Sequence, residues 1–176
     1  MACTMQEDII DSLDIVIRNI KNYIACENVP GGLLEDVNTI IRSVSLDGTV
    51  DEPAIWIVQH PTIMEDEKAI YFGGTQKLQT TVEFLCVEND DDLEVAEMKG
   101  LNLATRVGKC ILKNINRVKD KPDDPKHIFE KVMLETLYPA GEITVEGKAK
   151  RIPATSIIFK FTYPVNWRKC RPNIGD

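Results

Sequence analysis

Apolar residues recur along this chain with two different periods, and the switches between them mark the elements. Ile9, Leu13, Val16, Ile17, Ile20 and Ile24 follow helical spacing and form one stripe. Thr4 and Glu7 precede them with the spacing of a capping box, so a first helix is expected from about Met5 to Cys26. It must stop at Asn28-Val29-Pro30-Gly31-Gly32, because proline cannot continue a helix and glycine accepts a left-handed turn. From Gln76 to Glu88 the period becomes two. Leu78, Thr80, Val82, Phe84 and Cys86 share one face, and Lys77, Gln79, Thr81 and Glu83 share the other, which predicts a strand.

Between these two segments the pattern is shorter. Leu33 to Val44 is ambiguous: Leu34, Val37, Ile40, Ile41 and Val44 suit a short helix, whereas its β-branched Val, Thr and Ile weaken one. Asp47-Gly48 marks a turn, Ala54 to Gln59 a strand, His60 to Lys68 a loop, Ala69 to Phe72 a short strand, and Gly73-Gly74 another turn. After the long strand, Asn89-Asp90-Asp91-Asp92 suits a helix N-terminus, where carboxylates meet free N–H groups and the positive end of the dipole.

A second helix is expected from about Leu93 to Asn116, with Ala96, Gly100, Ala104, Val107, Gly108, Ile111 and Ile115 on one stripe. Small residues at four-residue intervals let it lie flat on a sheet, despite the helix propensity that each glycine sacrifices. Lys119 to Lys126 carries two prolines and reads as a surface loop. Ile128 to Tyr138 predicts a strand, the polar run Glu142 to Arg151 a protruding hairpin arm within about 139–153, and Ala154 to Tyr163 a last strand before a basic tail of Arg168, Lys169 and Arg171. Helices flanking runs of strands predict an α+β fold. A mixed or antiparallel sheet would carry both main helices on one face, in a single domain spanning 1–176.

Composition narrows the function. A net charge of −7 in 176 residues disfavours a nucleic-acid surface, which needs clustered cations to displace counterions. The apolar run from Ile9 to Ile24 is interrupted by Asp11, Asp14, Arg18 and Lys21, so neither a signal peptide nor a membrane span is expected. Five cysteines without a CxxC pair fit neither a disulfide framework nor a zinc ribbon, and imply reduced thiols.

Chemistry-bearing motifs are scarce. Neither GxxxxGK[ST] nor GxGxxG occurs, so no phosphate cradle and no cofactor is expected. His60 and His127 sit in proline-bearing loop sequence without metal-ligand spacing, and Asp90 to Asp92 lacks the alternation of a calcium loop. Cys86 and Cys110 fall on apolar faces and read as core thiols. Trp56 reads as core, and Trp167, in a polar tail, as the better interface residue. The pattern points to a subunit of an assembly rather than an enzyme. The rival reading is a small hydrolase or transferase using Cys86, Cys110 or His127. Candidate contact residues are Asp90, Asp91 and Asp92 in the acidic turn, Glu142, Glu146, Lys148, Lys150 and Arg151 in the arm, and Trp167 and Arg168 in the tail.

From Gly73 to Ile115 the passage GGTQKLQTTVEFLCVENDDDLEVAEMKGLNLATRVGKCILKNI resembles the tail terminator proteins of tailed bacteriophages, the lambda minor tail protein U-like group and its contractile-tail relatives. Val82, Phe84 and Val87 occupy the strand part of that pattern, Asp90 to Asp92 the turn, and Ala96 and Ala104 the helix. The resemblance implies a homo-oligomeric ring, typically of six copies, at the head-proximal end of the virion tail, assembled in the host cytoplasm. Such a ring caps the tail tube, ends its polymerisation and offers a surface for head joining. The implied partners are the chain itself, the tail tube protein, a neck or head-completion protein, and a sheath protein if the tail contracts. A head-completion or neck connector of the same particle is the alternative.

Overall fold

The structure, a computed structural model, describes residues 13–42, 51–64, 75–119, 129–144 and 151–166. The Thr4–Glu7 capping box, the turns at Asp47-Gly48 and Gly73-Gly74, the strand Ala69–Phe72, His127, and the loop beyond Lys119 lie outside the described residues. In chain order the elements are α1 (Leu13–Ala25), β1 (Thr39–Arg42), β2 (Ala54–Met64), β3 (Thr75–Val87), α2 (Leu93–Lys119), β4 (Lys131–Thr144) and β5 (Arg151–Asn166).

The strands form one sheet in the order β1-β2-β3-β5-β4, with β1 parallel to β2 and every other pair antiparallel. The chain is therefore α+β with a mixed sheet. Its helices share a face: Val16, Ile17, Ile20 and Ile24 of α1 and Leu103, Val107 and Ile111 of α2 join one core with Val82, Phe84, Phe159 and Phe161. The period-two face of β3 is buried at all five expected positions, Leu78, Thr80, Val82, Phe84 and Cys86.

The small stripe of α2 does what its spacing predicts. A Cβ added at Gly100 would meet Thr155 Oγ1 at 3.1 Å, and one at Gly108 would meet Ile157 Cδ1 at 3.0 Å, so α2 lies close along β5. After α1, Gly31 takes the left-handed φ of 79° that a side chain disfavours. The turn is then clamped to α2: the Arg106 guanidinium donates to both Asp36 carboxylate oxygens and to the Leu33 carbonyl. That guanidinium holds the Asp36 carboxyl below its usual range.

Several expectations need correction. Leu33 to Val44 holds no helix in its described part; Thr39–Arg42 is a strand, because its β-branched residues add to the ladder beside β2. His60 to Met64 is not loop but the continuation of β2, with the register shifting between Gln59 and Thr62 around Pro61, where a residue lacking N–H is tolerated. β4 and β5 are longer than expected. Glu142 lies within β4, and Arg151 opens β5 opposite Thr144. Pro139 and Gly141 obscured that continuation, yet an edge strand accommodates both where the register shifts between them. The described part of the expected arm is thus sheet, with Ile152 and Pro153 buried; residues 145–150 lie outside the described residues.

Trp56 is buried, as expected, but on the face of the sheet away from the helices. There it forms a second small cluster with Ala54, Val87, Ile152 and Ala154.

Candidate functional site

Two of the segments singled out in the sequence meet at one end of the sheet. β3 ends at Val87, opposite Ala154 of β5, so the turn after β3 and the β4–β5 hairpin share that end. Asp92 caps α2: its carboxylate accepts from the N–H groups of Glu94 (2.9 Å) and Val95 (3.4 Å). Asp90 accepts from the Asp92 N–H and from the Lys99 ammonium at 2.8 Å. That Lys99 bond holds the Asp90 carboxyl below its usual range and the ammonium above its own. The acidic turn is therefore a built helix start, with Asp91 and Asp92 exposed.

Beside it, α2 and the hairpin leave an open groove of about 280 Å³. Met98 and Leu101 of α2 and Pro139 and Pro153 of the hairpin give it an apolar floor; Glu94, Glu97 and Glu142 stand around it. The structure thus brings Glu142 to the first turns of α2, near the acidic turn, and places Arg151 at the start of β5. Glu146, Lys148, Lys150, Trp167 and Arg168 lie outside the described residues.

The apolar surface continues along β4. This strand is an edge of the sheet, and among the described residues it pairs only with β5. Leu134 and Leu137, paired with core residues Phe159 and Ile157, are exposed on its helix-side face beside exposed Met98, Leu101 and Leu112 of α2, whereas Met133 and Tyr138, paired with Lys160 and Ser156, are exposed on the opposite face. The sequence reading passed over this surface. Its signal was present, because Met98, Leu101 and Leu112 fall off the Ala96–Ile111 stripe and so could not face the same core.

The groups that could carry covalent chemistry are differently placed. Cys86 and Cys110 are buried, and burial pushes both thiols up, that of Cys110 to about 12, which keeps them protonated. His60 is not a loop residue but projects from β2, its Nε2 2.9 Å from one oxygen of Glu83; buried Ser156 donates to the other oxygen at 2.6 Å. The serine proton is held by the carboxylate and not by the imidazole, so the trio ties β2, β3 and β5 together without the serine–histidine bond that activates a hydroxyl. Among the described residues, no cluster of three His, Cys, Asp or Glu could hold a metal ion. No described helix is long and apolar enough to cross a membrane. Among known proteins, no family model and no curated sequence matches this chain.

Proposed function

We propose that this chain is a structural subunit of a tailed-phage particle, a tail terminator whose copies close into a ring on the end of the tail tube. The observation that carries the reading is the exposed apolar surface of β4 and the outer side of α2. A fourteen-residue edge strand with Leu134 51% exposed is an open template for association unless another surface covers it. The passage resembling the terminator family folds as β3, a capped acidic turn and α2, which supports the same reading. Ring closure needs two different complementary surfaces on each copy and no catalytic centre. The ring would stop tube growth and present its free side to a neck or head-completion protein, with a sheath protein around it in a contractile tail.

Electron microscopy of the purified chain, alone and with tail tubes, tests the proposal. Rings of uniform diameter, free or seated at one tube end, are the expected result. Particles that bind only a portal-side partner would instead make the chain a neck connector. Replacing Cys110 or His127 by alanine should leave ring formation intact; a function lost with either group while rings persist would point to the enzyme reading.

A further inference from the structure

We propose that the groove between α2 and the β4–β5 hairpin is a socket for the segment Trp167–Arg171 of a second copy of this chain. The proposal rests on the self-association reading above and adds which surfaces meet. The floor of the groove is apolar, and its two α2 residues are open to solvent, Met98 58% and Leu101 44% exposed. Three glutamates, 94, 97 and 142, stand around that floor. An occupant that satisfies both features has a large apolar side chain flanked by cations.

Trp167-Arg168-Lys169-Cys170-Arg171 has that composition. Tryptophan and arginine are the side chains that most often anchor protein interfaces, the first by filling an apolar pocket and the second by pairing carboxylates bidentately. The other basic run, Lys148 to Arg151, has no aromatic or large aliphatic residue to meet Met98 and Leu101. In a chain of net charge −7, an acidic groove otherwise repels most of the surface of a neighbouring copy.

Reach decides whose groove is filled. Pro153, Ala154 and Thr155 line the groove at one end of β5, while Asn166 ends the strand opposite Thr75 at the other. From Thr155 to Asn166 the strand covers about 36 Å at about 3.3 Å per residue. Five further residues span at most about 18 Å fully extended. Trp167–Arg171 therefore falls short of the groove of its own chain and reaches only that of another. Passed on from copy to copy, a contact from the tail of one to the groove of the next is heterologous, the type that generates rings, whereas the same contact exchanged reciprocally closes a dimer.

Disulfide trapping between two distinguishable copies tests this. One partner carries Met98→Cys with Cys170→Ser; the other keeps Met98 and the native Cys170; both carry Cys3→Ser and Cys26→Ser. Mild oxidation of the mixture should give a covalent dimer whose peptide map joins position 98 to position 170, while neither partner alone gives one. Oligomers by light scattering without this link would overturn the socket and leave the ring reading standing. A monomer without the link would overturn both. A link within one chain, in Met98→Cys carrying native Cys170 at high dilution, would overturn the reach argument and the socket with it. As a second measure, Glu94→Lys with Glu97→Lys should weaken association at least tenfold, and Arg168→Glu with Lys169→Glu on the other copy should restore it. Unchanged association on the first pair would contradict the socket.

Discussion

β3 and β4 are both long strands of one sheet, and they treat their apolar residues in opposite ways. β3 lies between β2 and β5 and buries Leu78, Val82, Phe84 and Cys86 under the helices. β4 is an edge of the same sheet and leaves Met133, Leu134, Leu137 and Tyr138 exposed. The difference is one of position. An inner strand has neighbours on both sides and helices above, whereas α2 lies close along β5 and leaves β4 partly uncovered. Apolar residues in β3 therefore stabilise the fold, and those in β4 are free to stabilise an assembly.

This contrast can be broken by experiment. The largest effect on folding belongs to β3: Phe84→Ala should cost about 3–5 kcal/mol, seen as a lowered urea midpoint with an unchanged slope. Leu134→Ala should cost well under half of that, and an equal cost would place β4 in the core. Removing the α2 cap with Asp92→Ala should cost about 1 kcal/mol, read in the same titration.

The clamp between α2 and the turn after α1 has a smaller, pH-dependent effect. Its folded Asp36 carboxyl is held below the usual value, so its contribution is present above about pH 4 and is lost as pH falls through the lowered folded pKa. The thermal midpoint of Asp36→Asn should lie below that of the native chain at pH 6 and converge with it in acid. A gap that persists unchanged at low pH would remove the ion pair from the account. The least effect on folding is expected from Leu134→Lys with Leu137→Lys, within about 0.5 kcal/mol per exposed site, although association should be lost.

The core was largely legible because one face of β3 and one stripe of α2 repeat with undisturbed periods over several turns of the pattern. Ala96, Gly100 and Ala104 announced a close helix–sheet approach through their size alone, and Asp92 announced its cap through its place before Leu93. The four residues of β1 are too few to show a period, and the ends of β2 and β4 were illegible for a shared reason. Pro61, Pro139 and Gly141 interrupt the local pattern, and only pairing with a neighbour, a tertiary effect, keeps those residues extended. The candidate site was half legible. Charge marked the acidic turn and Glu142, and Met98 and Leu101 stood off the core stripe of α2, but that they meet Pro139 and Pro153 as one floor follows only from the docking of α2 on β5. His60 with Glu83 and Ser156 could not be foreseen, since the three meet across three strands.

The central claim is that the β4 and α2 surface joins copies of this chain, and light scattering over a concentration series tests it most directly. The native chain should give a mass several times 19.8 kDa, close to six times if the ring has six copies, and Leu134→Lys with Leu137→Lys should give 19.8 kDa with the fold intact. A native chain that stays at 19.8 kDa at every concentration, or a variant that assembles as the native chain does, would contradict it.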